Sequence, residues 1–435
     1  MNECITKINN LMKRESFWEW CAAVLFVLGI IVFPIHLRYS LLKDVMHQYG
    51  YINFFVLGAT VILLLLKKQL SVLEKWMIFF WGIALISFFA SNASITTGKS
   101  MAAFFNCLFP IALIVCRFRE ERASKIIKVI LVCFNVFIVI LLLNAIIEKV
   151  SGNAILSILV DVLKAQELRM YLEYPAPWRF FSLWGHALTN ALLFNMFFIL
   201  NDCYYRCVGK KYPKLIYFLI ALVGVLLCAS KTAIVVLVLY FIASSYRNKW
   251  IMIGSATGAV VLFLAGGFDL LIERFQTTAL TSGRMERLLA YLNSTVYPLG
   301  MKMGYGTGSV FSIDEMEFFK AGFEFPILMH AFDYGVLFAI ICIGSIYVYV
   351  TYHMWKKKQY CIWIGYSLLY AEINVYNGIC LRNQDIFVIT CVFTMLILTC
   401  CEILKNEQPD KESFSIEEDS EQEEPMDITT EEEQQ

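Results

Sequence analysis

Residues 126–146 read IIKVILVCFNVFIVILLLNAI, an apolar run with a single charged residue, Lys128. A helix of about 20 apolar residues is long enough to cross the hydrocarbon core of a bilayer. The chain as a whole is also apolar: 59% of its 435 residues are hydrophobic and 17% are charged, with a mean hydropathy of +0.64. Because soluble domains carry about a quarter charged residues, this composition indicates a membrane protein.

Apolar segments of this length recur along most of the chain, separated by short polar connections. They predict an all-α polytopic integral membrane protein with about twelve transmembrane helices. The predicted spans are 15–36, 49–66, 76–92, 100–116, 126–146, 185–201, 214–229, 232–246, 250–267, 326–352, 360–378 and 386–404.

Basic residues alternate between the connections and set the predicted orientation. Lys and Arg concentrate before span 1 and after spans 2, 4, 6, 8 and 10, whereas the other short connections hold few of them. Because cytoplasmic loops carry the excess of Lys and Arg, we expect both termini to be cytoplasmic. The short connections expected on the outer side hold only Arg38, Lys43, Lys99, Lys231 and Arg382.

Two outward segments are long, at about 147–184 and 268–325. In the first, residues 154–164 are apolar but too short to span, so we expect a helix lying in the membrane interface. The second is where a catalytic or lid region would sit. We divide the chain into a membrane domain, 1–404, and an acidic tail, 405–435, whose composition predicts disorder in the cytoplasm. The tail is either simply solvated or a docking segment for a basic partner.

Four polar clusters are expected on the outer face. They are Arg179–His186, the turn Ser230-Lys231-Thr232, the loop motif Ser282-Gly283-Arg284 with Gly304-Tyr305-Gly306-Thr307-Gly308, and His330–Gly335. Within predicted span 11, Glu372 is a costly intramembrane carboxylate of the kind that is often functional. Pairing with a basic residue of a neighbouring helix is its structural alternative.

Other features have simpler interpretations. Gly304, Gly306 and Gly308 have the spacing of a phosphate-binding loop but lack the strand–turn–helix context, and a tight turn is the alternative that we favour. The 14 cysteines contain no CxxC pair and fall mostly in apolar runs, so we interpret them as small hydrophobes. No carboxylate pair has a metal-binding spacing, and we expect neither a metal nor a cofactor. Arg179, Lys231 and Arg284 would together form a cationic cluster suited to an isoprenoid diphosphate, because Arg binds such oxyanions through a planar fork.

The order of these clusters resembles the O-antigen polymerase and O-antigen ligase superfamily of bacterial membrane proteins. Arg179 to His186 resembles that family's Arg-containing motif, and Ser230-Lys231-Thr232-Ala233 resembles its Ser-Arg-(small) motif. The Ser282-Gly283-Arg284 and Gly304–Gly308 pair resembles the motifs of its large outer loop, and His330 resembles the His that closes it. The chain departs from the family at Lys231, where the family has Arg, and at Ala331, where it commonly has Asn; Asp333 is a candidate substitute.

The resemblance implies a glycosyltransferase that polymerises lipid-linked oligosaccharide repeat units at the outer face of the bacterial cytoplasmic membrane, as in capsule, exopolysaccharide or O-antigen synthesis. Arg179 and Arg284, assisted by Lys231, would stabilise the leaving diphosphate. His330 would be the general base because its ordinary pKa lies near working pH, with Glu324 and Glu372 as second choices. His186 and Gly306 would contact saccharide or diphosphate.

Two alternatives stay open. One is a ligase of the same superfamily that moves a finished glycan to a lipid, protein or wall acceptor. The other is an exporter of polysaccharide or lipid-linked sugar without chemistry. The expected partners are the isoprenoid-diphosphate-linked oligosaccharide, membrane lipid and possible pathway proteins such as a chain-length regulator or a flippase, and no nucleic acid.

Overall fold

A computed structural model describes residues 2–164, 166–173, 178–246, 248–277, 284–293, 297–311, 324–375, 377–380 and 384–403. Across these ranges the protein is helical, with no β-strand beyond one isolated bridge between Ser182 and Gly185. Six helices are long and apolar enough to cross a membrane, and the number rises to eight if each of two bent helix pairs is one span. The all-α membrane class predicted from the sequence is therefore confirmed.

The described residues of the first half of the chain form nine α-helices. Short π-helical turns at Leu28–Val32 and Phe104–Leu108 and 3₁₀ segments at His47–Tyr51 and Phe109–Val115 extend or connect them. The α-helices are α1 (Asn2–Val27), α2 (Ile35–Met46), α3 (Phe54–Leu66), α4 (Val72–Ser91), α5 (Thr97–Ala103), α6 (Glu120–Ser151), α7 (Ala154–Leu163), α8 (Gln166–Leu172) and α9 (Ala187–Cys207).

The described residues of the second half form ten more. A π-helical turn at Ile340–Gly344 continues one of them, and 3₁₀ segments lie at Ser309–Phe311 and Asn377–Cys380. The α-helices are α10 (Lys214–Leu227), α11 (Lys231–Ser245), α12 (Lys249–Leu264), α13 (Asp269–Thr277), α14 (Arg284–Leu292), α15 (Pro326–Tyr334), α16 (Val336–Ala339), α17 (Ser345–Lys356), α18 (Tyr360–Ile373) and α19 (Ile386–Ile403).

Each predicted span coincides with helix, but the helices differ in length. Predicted span 2 contains a 48° bend between Ile35–Tyr51 and Phe54–Leu66, and span 9 continues through a 72° bend into α13. α10 and α11 are apolar but shorter than a straight span requires. Helix α7 forms where the sequence predicts a short amphipathic helix, while its position in a membrane interface stays a prediction.

The core of the bundle is built on α9 and α19, which pack against each other. In the most apolar 18 residues of α19, 94% of the residues are buried inside the protein. In the most apolar 18 residues of α6, the buried share is 44%. α6 instead exposes Val132, Val136, Ile140 and Leu143 along one face. A long exposed apolar stripe is unfavourable in water, so this face is suited to contact with lipid.

The polar connections gather at two opposite ends of the bundle. We call the end at which α9 and α19 begin the loop end, and the end at which they finish the basic end. The loop end contains residues 178–186, 228–231, 297–311, 377–380 and 384–385, and the basic end contains residues 67–75, 117–122, 206–214 and 356–358.

Candidate functional site

Three cationic side chains converge on the turn between α10 and α11 at the loop end. The Nε of Arg179 donates a hydrogen bond to the carbonyl of Cys228, at 3.2 Å. Arg274 on α13 donates to the next carbonyl, that of Ala229, at 2.9 Å. The ammonium of Lys231, the first residue of α11, lies 4.6 Å from the centre of the Phe275 ring. Two of the predicted diphosphate ligands, Arg179 and Lys231, are thus brought together with a third cation.

The backbone next to Arg179 is held tightly against the same turn. The amide of Phe180 donates to the carbonyl of Leu227, at 3.1 Å. Ser182 and Gly185 exchange two backbone hydrogen bonds, and the amide side chain of Asn190 on α9 donates to the carbonyl of Phe180, at 3.2 Å. Arg179 is 3% exposed, so its guanidinium is held by a buried, hydrogen-bonded segment.

His186 caps the N-terminus of α9. Its Nδ1 accepts a hydrogen bond from the amide of Leu188, at 3.2 Å, which satisfies one of the free amides of the first helical turn. The half-buried ring packs edge-on against Phe181 and Tyr171. The structure gives His186 a capping role, and its assignment to a saccharide stays a prediction.

Glu372 is buried beneath the loop end, near the end of α18. Its carboxylate accepts a hydrogen bond from the Nδ2 of Asn195 on α9, at 2.7 Å, and the same Nδ2 donates to the carbonyl of Ala233, at 3.1 Å. The expected alternative, an ion pair with a basic residue of a neighbouring helix, is wrong within the described chain: the carboxylate faces an amide. The carbonyl of Ala233 belongs to the first turn of α11, so the shared amide places this carboxylate close to the cationic turn.

His330 is 1% exposed and lies inside the first turns of α15. Its ring packs on Tyr334 and Phe338, with ring centres 5.9 Å apart in each case, and it hydrogen bonds to the backbone of Ile379. Among the described residues its Nε2 has no hydrogen-bond partner. The ring is enclosed by apolar side chains and does not lie at an open surface.

The glycine cluster forms a loop that is docked onto α4 and α15. The amide of Gly306 donates to the Asp333 carbonyl at 2.8 Å, and the Asp333 carboxylate accepts from the amides of Gly308 and Val310 at 2.8 and 3.1 Å. The amide and hydroxyl of Thr307 both donate to Asn92. These amides bind protein atoms, as expected of a tight turn, and Asp333 is the anchor of the loop. The assignment of Gly306 to substrate binding stays a prediction.

The docking requires glycine at Gly306. Its φ is +97°, and a Cβ there would lie 2.8 Å from the backbone oxygen of Ser91. At Gly304 a Cβ would lie 2.1 Å from the carbonyl oxygen of Phe332. The spacing of these glycines therefore serves a close approach between backbones.

The remaining predicted residues are only partly described. Arg284 is the first residue of α14, but its side chain lies outside the described residues, as do Ser282 and Gly283 and the acidic tail. Glu324 is half-buried just before α15 and has a φ of +52°. Tyr291, at the other end of α14, packs against Phe332 on α15, which places α14 beside the docked loop.

One cation expected on the outer side has a structural role. Arg38 is 2% exposed and makes a two-pronged ion pair with Asp385 at 2.9 and 3.1 Å, joining α2 to the start of α19. Asn53 also donates to this carboxylate. This buried pair closes the loop end and does not belong to the cationic turn.

Sequence reasoning missed two residues of this region. Arg274 lies in DLLIERFQT, whose apolar residues recur with helical spacing, and that signal could have identified a short helix carrying a cation. Asn195 interrupts an apolar span, and a polar residue at such a position marks a buried hydrogen bond. No protein-family model, curated protein or solved structure matches this chain.

Proposed function

We propose that this protein is a glycosyltransferase that polymerises isoprenoid-diphosphate-linked oligosaccharide units. In this proposal the chain spans the bacterial cytoplasmic membrane about twelve times, both termini are cytoplasmic, and the loop end faces outward. The observation that carries the proposal is the convergence of Arg179, Lys231 and Arg274 on one turn at the loop end; in this proposal that turn lies at the level of the lipid headgroups. Positively charged side chains that lie close together repel one another, so an anionic ligand bound among them is favoured.

An isoprenoid diphosphate fits this location on chemical grounds. Its apolar chain would stay in lipid while its charged group meets the cationic turn, with Arg284 of α14 as a further candidate ligand. In the transfer, the acceptor hydroxyl forms a bond to the anomeric carbon of the donor sugar, and the bond from that carbon to the diphosphate breaks. Preorganised cations that stabilise the departing charge are commonly worth a few kcal/mol each, so the step needs no metal.

The acceptor hydroxyl loses a proton, and two buried groups are candidates to accept it. His330 has a free Nε2 among the described residues, whereas Glu372 shares the Nδ2 of Asn195 with the carbonyl of Ala233 in the first turn of α11, next to the cationic turn. On position we place Glu372 ahead of His330. General-base assistance typically contributes about 10²–10⁴-fold, so His330→Ala and Glu372→Gln separate the two assignments.

The test is the size distribution of lipid-linked glycan in cells that lack this protein and are complemented with variants. We expect single repeat units to accumulate in the deletion strain, wild type to restore a ladder, and Arg179→Ala to leave single units. Arg179→Lys keeps the positive charge but removes the planar guanidinium, so it separates the effect of charge from that of geometry. The matched control is Lys210→Ala, which removes an exposed cation of the basic end.

Other outcomes would redirect the proposal. Long polymer that stays on its carrier and never reaches a final acceptor would identify a ligase instead. Repeat units trapped on the cytoplasmic face would identify an exporter and reject chemistry at the loop end. Membrane levels and thermal stability of each variant, measured in detergent, exclude a folding defect as the cause.

A further inference from the structure

Four cysteines meet at the basic end, far from the cationic turn. Cys203 and Cys207 lie one turn apart on one face of α9, and Cys400 and Cys401 lie in the last turn of α19. The Sγ atoms of Cys203, Cys207 and Cys401 all lie within 4.8 Å of one another, and these residues are at most 2% exposed. The cysteines contain no CxxC pair and fall mostly in apolar runs, which indicated small hydrophobes, and the two pairs lie almost 200 residues apart in sequence.

The separation of the three sulfurs matches that of thiolates around a shared ion. Zinc binds thiolate sulfur at about 2.3 Å, so two sulfurs on one ion are roughly 3.8–4.6 Å apart. The thiol of Cys400 lies beside Cys203, but it falls outside the set of three sulfurs that lie within 4.8 Å of one another. Because α9 and α19 are the most deeply buried helices of the bundle, these side chains are held in place before any ion binds.

The surrounding charges favour an ion with three thiolates. The Nζ of Lys357 donates to the carbonyl of Cys401, at 3.1 Å, and Lys357 and Arg117 both act electrostatically on the Cys401 thiol. Arg117 also pairs with Glu402 at 3.2 Å. A divalent ion with three thiolates carries one negative charge, and the net positive charge of these three neighbours balances it.

We propose that Cys203, Cys207 and Cys401 form a binding site for a thiophilic ion of the zinc or monovalent copper class. Soft thiolate ligands select such ions. The bound ion ties the end of α9 to the end of α19 and so clamps the two central helices. This site lies at the opposite end from the proposed transfer chemistry and has a structural role.

The first test measures zinc and copper by elemental mass spectrometry in the full-length protein, purified in detergent under reducing conditions. We expect about one ion per chain in wild type, and an unchanged amount in Cys391→Ala, which removes a buried thiol of α19 outside the cluster. The double variant Cys203→Ser/Cys401→Ser should lose the ion. The metal that is found at about one ion per chain identifies which ion the site binds.

The second measurement keeps the proposal testable if that double variant does not fold. Wild-type protein stripped by a chelator is titrated with Co²⁺, whose thiolate charge-transfer bands report sulfur ligands, and its thermal stability is followed as Zn²⁺ or Cu⁺ is added. An ion that binds only the folded state raises the midpoint of unfolding. No bound ion in the purified protein, together with no charge-transfer bands and no shift in the midpoint, would overturn the proposal and leave the thiols as packing groups.

Discussion

Asp202 at the basic end and Glu372 near the loop end are both buried carboxylates, but their surroundings differ. Asp202 accepts from Arg206 at 2.6 Å, Tyr212 at 2.5 Å and Tyr240 at 2.7 Å, and it pairs with Lys214 at 2.9 Å. Within the described chain, Glu372 accepts from a single neutral amide. A buried charge is tolerated when cations and hydrogen bonds compensate for lost hydration.

The difference separates a structural carboxylate from a candidate functional one. The two cations and two hydroxyls around Asp202 lock α9, α10 and α11 together, and burial beside this carboxylate raises the pKa of Tyr212 far above its usual range. Glu372 has no such compensation in the described residues. Intramembrane carboxylates that lack a cationic partner are costly, and such residues commonly take part in function.

The largest effect on stability is expected for Asp202→Asn. The substitution keeps the size of the side chain but leaves Arg206 and Lys214 without their shared anion, and breaking a buried ion pair in this way costs about 3–5 kcal/mol. Thermal unfolding in detergent would measure the loss. A midpoint close to that of wild type would show that the cations find water or lipid instead, and that the lock is not structural.

Glu372→Gln is the matched neutralisation at the other carboxylate. The new amide oxygen still accepts from Asn195, so we expect stability to change by about 1 kcal/mol or less. Glycan polymerisation should fall by about 10²-fold if the carboxylate accepts a proton. Full activity with unchanged stability would remove Glu372 from the mechanism and return His330 as the candidate base.

The carboxylate of Asp333 is stabilised in a third way, by hydrogen bonds from backbone amides, and Asp333→Ala tests their contribution. The substitution leaves the buried amide of Val310 and the half-buried amide of Gly308 without their acceptor, which we expect to cost about 1–3 kcal/mol. The readout is thermal unfolding together with the rate of proteolysis in residues 297–311. Gly82→Ala, at a helical glycine with open space around its Cβ position, is the control that should not destabilise. An unaffected Asp333→Ala would show that the loop docks without this anchor.

The smallest effect is expected for Lys231→Arg. The new guanidinium can still stack on Phe275 and adds a planar fork for an oxyanion, so activity should stay within a few-fold of wild type or rise. Lys231→Ala, assayed beside it, removes the charge and should reduce the length of the glycan ladder. If both variants behave as wild type, Lys231 does not contact the diphosphate.

Much of the fold follows from local patterns in the chain. Apolar runs of span length predicted the all-α membrane class, and a helix forms at each predicted span because backbone groups in lipid must bond within their own segment. The short helix α7 and the turn character of the glycine cluster were also predicted from nearby residues alone. The bends at residues 52–53 and 265–268 were not, since they depend on how neighbouring segments pack.

The amino-acid sequence by itself determined which segments are helical and membrane-compatible, and it identified Arg179 and Lys231 as candidate ligands. Only the tertiary structure decided which charges meet. It paired Arg38 with Asp385, gave Glu372 an amide partner, brought Arg274 to the cationic turn and gathered the cysteines of α9 and α19. The physical reason is that helix formation and lipid burial depend on residues within one segment, whereas the compensation of a buried charge depends on side chains that packing brings from distant parts of the chain.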